Sequence, residues 1–427
     1  MQTFNKQQIQ SLPTLADVVV GLKAQIEKIT SQENWHGFHL GYSGTDWSFS
    51  FSEFCNDADD DKFIVVQTNG KRHTLKPNLR NRPFIFRGQN KVFPHILSSF
   101  SRDYFDKKGN PLDSKVAHAK HLVGNLKSEE FCDLLKTNPL FMMLDRGIIL
   151  EPERKPIFIN MNYYGLAQHY GFKTAVVDFT SEIDVAAFFA CTKNEGFDKY
   201  SPITDITKHP YGVIYVHEIN PAVTFKFAGF STIGLQIYPR SGAQKGLLFN
   251  EPIVTVPVER MVKPVYFKHD PMISKHFYNK MSDKLFPSDS ISKYAEELLS
   301  SNEISGKTFM QNIYTNQENF EENLAELNSQ GVCINWHKQH HFSNELLKLL
   351  DEELKNGLWE QFCNQICFAD IRKGEAMLES LLQLPKNPAY AHYFKMSEYN
   401  RITNFDTAQH ERALRNASKK GGSPVKN

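Results

Sequence analysis

Apolar positions follow strand-like patterns in the first part of the chain and helix-like patterns in the rest. Short apolar runs bounded by turn residues predict strands at residues 63–67, 84–86, 175–179, 212–217, 247–249 and 253–258. Apolar residues at the 3.6-residue period predict helices at 15–29, 183–192, 291–299, 319–328, 343–354 and 374–384. We therefore expect an α+β fold with a mixed or antiparallel sheet core and surrounding helices, followed by a C-terminal helical region.

This distribution predicts three segments. Residues 1–300 form an α+β domain, residues 301–410 a helical domain or extension, and residues 411–427 a flexible basic tail. The apolar faces of the late helices pack onto the first domain by default, and a protein partner for these helices is the alternative.

Composition and charge exclude several classes of protein. The 427 residues hold 49 Lys and Arg against 48 Asp and Glu, and this net charge of +1 does not indicate nucleic acid as a partner. The chain has neither an apolar run long enough to span a membrane nor the apolar block of a signal peptide. Its six cysteines lack the spacing of a disulfide framework. We therefore predict a cytoplasmic protein that does not bind a membrane.

Two groups have a spacing related to metal binding, and neither is complete. Cys363 and Cys367 lie four residues apart, but no second pair completes a zinc site. His337, His340 and His341 share a helical face without the acidic residue of a zinc hydrolase helix. We predict no metal site.

The first group of candidate functional residues is the segment FIFRGQ, in which an apolar strand ends in polar residues. Arg87 would point a planar five-donor cation into a cleft above the sheet, where it suits a phosphate or a carboxylate. Gly88 would let a ligand approach the backbone, and Gln89 adds an amide. The alternative is an arginine locked in a buried ion pair.

The second group surrounds the strand predicted at 175–179, which follows the polar stretch GLAQHYG. Asp178 interrupts an apolar run, so we expect a buried and paired carboxylate, with Arg87 as one candidate partner. His169 is a candidate proton shuttle, although a structural hydrogen bond is the commoner role of a lone histidine.

The third group, YPRSGAQKG, lies directly before the strand predicted at 247–249. Its cations, its amide and its glycines suit a loop that holds a polar ligand, but an ordinary hairpin loop has a similar composition. The phosphate-loop pattern is absent, because Leu247 follows the second glycine where that pattern requires a lysine.

Together these groups resemble a known family. The segments FRGQ, LAQHYGFKTAVVDFTSEIDVAAFFA and SGAQKGLLF occur in the order typical of the FRG domain. Members also carry a Ser-Arg pair, here Ser101 and Arg102, and a late Gln-x-Gly-x-Phe, which here has one extra residue before the Phe. The resemblance covers roughly residues 10–300. Members occur widely in bacteria and their viruses, often in settings that suggest conflict between the two, so the resemblance implies a role in bacterial antiviral defence.

The chain is also similar, more distantly, to ADP-ribosyltransferases of the Arg-Ser-Glu type. These enzymes place an Arg on an early strand, an aromatic-Ser/Thr-Ser strand before a helix, and a Glu on a late strand; here Arg87, residues 179–181 and Gln244 occur in that order. This resemblance implies a related fold, with NAD as a substrate whose phosphates Arg87 neutralises and whose ribose or nicotinamide the hydroxyls hold.

Gln244 departs from the transferase pattern, because an amide cannot act as a base. Asp178 or Glu251 would then replace the missing carboxylate, or His169 would act as the base. The remaining alternative is a site that binds a nucleotide without transferring anything.

From these groups we predict one cleft. Its predicted catalytic residues are Arg87, His169, Asp178 and Gln244. Its predicted ligand-binding residues are Gly88, Gln89, Arg102, Gln168, Tyr170, Thr174, Thr180, Ser181 and Gly246.

The leading hypothesis is an effector that binds a nucleotide or NAD-like ligand and uses it as a transferase or glycohydrolase, with no cofactor assigned. One alternative is a non-catalytic sensor of a phosphate-bearing ligand, a nucleic acid or a viral component. Another is an interaction scaffold that acts through its C-terminal helices.

Overall fold

The computed structural model of the chain describes residues 4–32, 61–67, 72–79, 81–106, 110–151, 156–219, 230–250, 257–317, 319–338, 342–368 and 371–396. Several sequence predictions lie outside these residues. They are Glu251, most of the strand predicted at 253–258, the histidines His340 and His341, and the tail at 411–427.

The strands of the described residues form two larger sheets and two short pairs. They are β1 (Phe63–Gln67), β2 (Arg72–Pro77), β3 (Phe84–Gln89), β4 (Ile148–Ile149), β5 (Pro156–Ile159), β6 (Val176–Thr180), β7 (Thr192–Gly196), β8 (Lys199–Pro202), β9 (Tyr211–Glu218), β10 (Phe230–Thr232), β11 (Gly246–Asn250), β12 (Lys263–Lys268), β13 (Glu303–Ser305), β14 (Cys333–Asn335) and β15 (Ile366–Phe368). The six-stranded sheet is antiparallel, in the order β10-β11-β6-β3-β9-β12. The five-stranded sheet is mixed, in the order β15-β1-β2-β5-β4.

Many of the helices begin at a side chain that caps their first turn. The helices of the described residues are α1 (Lys6–Ser11), α2 (Leu15–Thr30), α3 (Ser114–Lys136), α4 (Pro139–Arg146), α5 (Tyr163–His169), α6 (Ile183–Cys191), α7 (Pro239–Gln244), α8 (Pro271–Leu285), α9 (Ser290–Ser300), α10 (Gly306–Asn316), α11 (Phe320–Ser329), α12 (Asn344–Lys355), α13 (Leu358–Asn364) and α14 (Ile371–Leu382). In α2, the Thr14 hydroxyl accepts from the Asp17 N–H while the Asp17 carboxylate accepts from the Thr14 N–H, so both residues satisfy the helix start.

These elements confirm the predicted α+β class with a helical C-terminal region. Strand β1 has the predicted bounds, and β3, β6, β9 and β11 overlap the strands predicted around them. The predicted helices are present with ends that move by up to three residues, because apolar periodicity locates a buried face better than it locates a cap.

Two local predictions differ from the structure. The strand predicted at 84–86 continues to Gln89, because Gly88 and Gln89 remain paired with β9. Most of YPRSGAQKG, which suited a loop, belongs to the short helix α7. The polar stretch GLAQHYG, for which no element was predicted, lies mostly in the short helix α5.

Helix α6 packs directly across the six-stranded sheet. A Cβ atom added to Gly88 would lie 1.8 Å from the backbone oxygen of Ala186 and 2.8 Å from the Ala190 nitrogen. Real Cβ atoms do not approach backbone this closely, so the helix can sit on β3 only over a glycine. The close approach that we predicted for a ligand at Gly88 is therefore made by α6.

The strands are not confined to the part of the chain before residue 270. Strand β15 pairs in parallel with β1, with Ile366 opposite Phe63. Phe63 also shares a buried core with Trp359 of α13, which is 1% exposed. The core below the five-stranded sheet is therefore built by residues from both sides of position 300, while the domain boundary predicted there stays a prediction.

Two further findings concern membranes and metals. Among the described residues, none of the helices combines the length and the apolar character that crossing a bilayer requires. The same residues contain no group of three or more His, Cys, Asp or Glu side chains placed to hold a metal ion.

Candidate functional site

A cleft of about 650 Å³ opens where β3 and β6 stop pairing. The two strands share one paired position, Phe86 opposite Thr180. Residues 86–89 of β3 and residues 178–180 of β6 line the cleft, so the interrupted ladder leaves polar backbone and side chains facing it. Much of the remaining lining comes from the end of α5, from α6, from the end of α7 and from the β7–β8 hairpin.

Most of the predicted site residues line this cleft. They are Arg87, Gly88, Gln89, Arg102, Gln168, His169, Asp178, Thr180, Gln244 and Gly246. The structure therefore brings together three stretches that lie far apart in the sequence. It does not by itself assign a role to any of them.

Arg87 crosses the gap between the two strands. Its Nη1 donates a hydrogen bond to the backbone oxygen of Asp178 at 2.7 Å. The sequence suggested a contact with the Asp178 carboxylate, but the observed partner is the carbonyl. This bond orients the planar guanidinium of Arg87 along the cleft wall.

A chain of hydrogen bonds holds the Asp178 carboxylate. Gln168 donates from Nε2 to Asp178 Oδ2 at 2.5 Å, and the Thr174 hydroxyl donates to Gln168 Oε1. Thr174 is fully buried, so it fixes the direction of the Gln168 amide. The other carboxylate oxygen, Asp178 Oδ1, is buried without a hydrogen-bond partner among the described residues.

His169 lies at the end of α5, with Gly246 against its ring. A Cβ atom on Gly246 would lie 2.7 Å from His169 Nε2, so the glycine keeps the space that the imidazole occupies. Burial lowers the pKa of His169, although the nearby Asp178 carboxylate opposes that effect. The Gln244 side chain also lies near the ring, but neither ring nitrogen meets hydrogen-bonding geometry with a described residue. Burial therefore favours the neutral form of the His169 imidazole.

The structure ties Gln244 to the protein. Its Nε2 donates to the backbone oxygen of Leu285 at 3.1 Å, and its own backbone oxygen accepts from the Thr180 hydroxyl at 2.8 Å. The side chain is 8% exposed. Gln244 thus links α7, β6 and α8 at the edge of the cleft, in keeping with an amide that cannot act as a base.

Three of the predicted ligand-binding residues do not line the cleft. Tyr170 is buried and donates its hydroxyl proton to Asp289 at 2.6 Å, and burial raises its pKa. Thr174 positions Gln168, and Ser181 is 2% exposed behind the cleft wall. Sequence reasoning placed them in the site because they adjoin residues that do line it.

Arg240 belongs to the third group of candidate residues, but it was not among the predicted catalytic or ligand-binding residues. It is fully buried, its Nη1 donates to Asp198 Oδ1 at 2.8 Å, and its Nη2 donates to the other oxygen of the same carboxylate. Its guanidinium also stacks on Tyr170, with 4.3 Å between guanidinium carbon and ring centroid. Asp198 lines the cleft, so Arg240 anchors the β7–β8 hairpin that forms one wall.

Aromatic side chains supply much of the remaining lining, and the sequence did not assign them to the site. They are Phe93, Phe172, Phe179, Phe189, Phe197, Tyr200 and Phe286. The 33 Phe residues of the chain indicated only an aromatic core, because composition cannot separate core from cleft. The cleft therefore offers ring-stacking surfaces beside its cations and amides.

The stability of the segment that follows β3 should depend on pH through His269. This side chain is 6% exposed and hydrogen-bonds through Nε2 to the backbone oxygen of Asn90, a cleft residue, at 2.9 Å. Burial lowers its pKa from 6.5 to about 4. The neutral ring therefore stabilises the fold fully above pH 6.5, and this contribution of about 3 kcal/mol disappears as pH falls towards 4.

We expect His269→Gln, which keeps a donor at the same place, to lose less unfolding free energy between pH 6.5 and 4 than the unaltered protein. Urea denaturation at a series of pH values measures this difference. His276→Gln, at an exposed position, is the control and should follow the unaltered protein. Parallel curves for the unaltered protein and His269→Gln would contradict the prediction.

Comparison with known families identifies one part of the chain. The family model described as FRG domain matches residues 82–199, which include Arg87, His169 and Asp178 but not Gln244. No curated protein and no solved structure matches the chain significantly. The FRG resemblance is thus confirmed over the first two groups of candidate residues, whereas the likeness to ADP-ribosyltransferases stays a prediction.

Proposed function

We propose that this chain, which contains an FRG domain, binds a nucleotide or NAD-like ligand in the cleft between β3 and β6. The observation that carries the proposal is the meeting of Arg87, the Gln168–Asp178 pair and a set of aromatic rings on one cavity of about 650 Å³. That volume falls within the usual range for small-molecule sites, about 300–1,000 Å³.

Each part of a nucleotide has a counterpart in this lining. Arg87 and Arg102 supply guanidinium groups for the phosphate. Asp178 Oδ1 and Gln89 Oε1 are buried acceptors without a partner among the described residues, and ribose hydroxyls would satisfy them. The aromatic side chains supply flat surfaces for a base. The combination supports a ligand that carries an anion, hydroxyl groups and a ring.

Thermal denaturation with a panel of AMP, ADP, NAD and short oligonucleotides tests the proposal. A ligand at 100 times its dissociation constant should stabilise the folded protein by about 2.7 kcal/mol. We expect a rise in the melting temperature with at least one phosphate-bearing nucleoside. Adenosine and inorganic phosphate at the same concentration should leave the melting temperature unchanged. The absence of any shift across the panel would refute nucleotide binding.

A catalytic version of this function would use His169 as the base. In ADP-ribosyl transfer the bond between nicotinamide and ribose C1′ breaks and nicotinamide leaves with the bonding electrons. An acceptor hydroxyl then bonds to C1′ and gives its proton to neutral His169, while Asp178 stabilises the resulting imidazolium. With water as the acceptor, the same step is NAD hydrolysis.

Release of nicotinamide from NAD, followed by chromatography, tests this version. We expect release by the unaltered protein and a fall of about 100-fold or more in His169→Gln, which keeps a polar side chain but cannot accept the proton. The engagement of the Gln244 amide by Leu285 instead favours the alternative, a non-catalytic sensor. If the protein binds a nucleotide but releases no nicotinamide, whether or not protein acceptors are present, the result supports the non-catalytic sensor.

We also propose that the protein acts as an effector in bacterial antiviral defence. The support for this role is the FRG domain, whose resemblance implied it. Plaque assays on bacteria that express the protein test it with Arg87→Ala beside the unaltered chain. Protection that depends on Arg87 favours a role for the cleft. Protection that survives Arg87→Ala favours the scaffold alternative, in which the C-terminal helices bind a protein partner.

A further inference from the structure

A second cavity of about 310 Å³ adjoins the main cleft. We call it the second chamber; it lies between residues 91–97 and residues 102–106. The two cavities share one wall, formed by Arg87, Gln89, Phe93 and Arg102. A ligand that fills both would therefore pass along two guanidinium groups.

The charge of the second chamber is positive on balance. Arg87, Lys91 and Arg102 line it together with one acid, Asp106. Lys91 Nζ lies 4.8 Å from the ring centroid of Phe93, at the boundary of the two cavities. The chamber thus suits an anionic group at its entrance from the main cleft.

Aromatic rings lie on both sides of this charged wall. The second chamber contains His95 and Phe105, whose ring centroids are 5.9 Å apart. The main cleft contains Phe197 and Tyr200 on its hairpin wall. Two separate ring-binding surfaces therefore flank one pair of cations.

The loop that forms the second chamber is held at several points. The Ile96 N–H donates to Glu259 Oε1 at 2.6 Å, and Ile96 itself is 2% exposed. At its start, Asn90 donates from Nδ2 to the Thr192 backbone oxygen at 2.7 Å. These contacts fix the chamber walls before any ligand arrives, which lowers the cost of binding.

We infer that the two cavities together bind one small dinucleotide, with its 5′,5′-pyrophosphate on the wall shared by Arg87 and Arg102 and one nucleoside in each cavity. This inference rests on the proposed function, because the main cleft must first accept a nucleotide. In this arrangement Lys91 contacts the nucleotide half that lies in the second chamber, and the main cleft holds the other nucleotide half.

Isothermal titration with AMP, NAD and the 3′,5′-linked dinucleotide pApA tests the inference. Two variants alter the second chamber without touching the main cleft: Lys91→Gln removes its cation and Leu97→Trp fills its volume. We expect the unaltered protein to bind NAD about tenfold more tightly than AMP. Both variants should bind NAD no more tightly than AMP, and their affinity for AMP should equal that of the unaltered protein. Lys348→Gln, at an exposed position on α12, is the matched control and should change neither.

The outcomes separate this inference from the proposed function. If AMP binds and the NAD affinity is the same in Lys91→Gln, Leu97→Trp and the unaltered protein, the dinucleotide inference is overturned and nucleotide binding stands. If neither AMP nor NAD binds the unaltered protein, the proposed function fails and the inference fails with it. Tighter binding of pApA than of NAD would overturn the pyrophosphate assignment in favour of a nucleic acid strand. Should Leu97→Trp fail to fold, Lys91→Gln still decides, because its side chain is exposed.

Discussion

Arg87→Ala is expected to lower the affinity of the cleft for AMP by about 10- to 100-fold, the effect of losing a hydrogen-bonded charge on a phosphate. Arg87 lines both cavities, and a hydrogen bond from its Nη1 to the Asp178 backbone oxygen, 2.7 Å away, orients it. Isothermal titration measures the affinity directly.

Arg87→Lys is the matched variant for this prediction. Lysine keeps the positive charge but lacks the planar fork, so we expect an affinity between those of the unaltered protein and Arg87→Ala. The melting temperature of each variant shows how much of the change reflects the lost bond to Asp178 rather than the lost phosphate contact. An Arg87→Ala protein that folds and binds AMP as tightly as the unaltered chain would remove Arg87 from the site.

Gly88→Ala is expected to destabilise the fold by about 3 kcal/mol or more, because its Cβ would collide with the backbone of α6. The nearest atom, the Ala186 oxygen, would be 1.8 Å away, so the helix would have to move off the sheet. Urea denaturation measures the loss of unfolding free energy.

The same substitution at Gly21 provides a control with the opposite expected sign. Gly21 is exposed in the middle of α2, and a Cβ there would meet nothing within 4 Å. Gly21→Ala should therefore stabilise the protein by about 0.5–1 kcal/mol through helix propensity. Equal changes at both positions would contradict the packing role of Gly88.

The sequence predicted four strands of the six-stranded sheet, β3, β6, β9 and β11, because these strands bury apolar runs, whereas β10 and β12 were not predicted. Residues 175–179 and 212–217 read as strands because β-branched and aromatic residues dominate them, and β6 and β9 follow these limits closely. The short helices α5 and α7 were missed for the opposite reason. Their polar residues and glycines are typical of loops, and they are helical where α5 packs against α3 and α7 packs against α8.

The candidate site shows the same division between local and tertiary information. Arg87, His169, Asp178 and Gln244 stood out because polar residues interrupt or end apolar runs, and all four line one cleft. The structural role of Arg240 was not predicted, because nothing near it in the sequence identifies Asp198, 42 positions earlier, as its partner. Pairings between distant segments cannot be read from residue types alone.

The parallel pairing of β15 with β1 has a consequence for synthesis of the protein. The two strands lie about 300 residues apart in sequence, so during translation β1 emerges long before the strand that covers its outer edge. Until Ile366–Phe368 is made, the row of backbone N–H and C=O groups along that edge is open to any other extended chain nearby. The nascent chain therefore exposes an unpaired strand edge, which favours aggregation, through most of its elongation, until β15 pairs with β1.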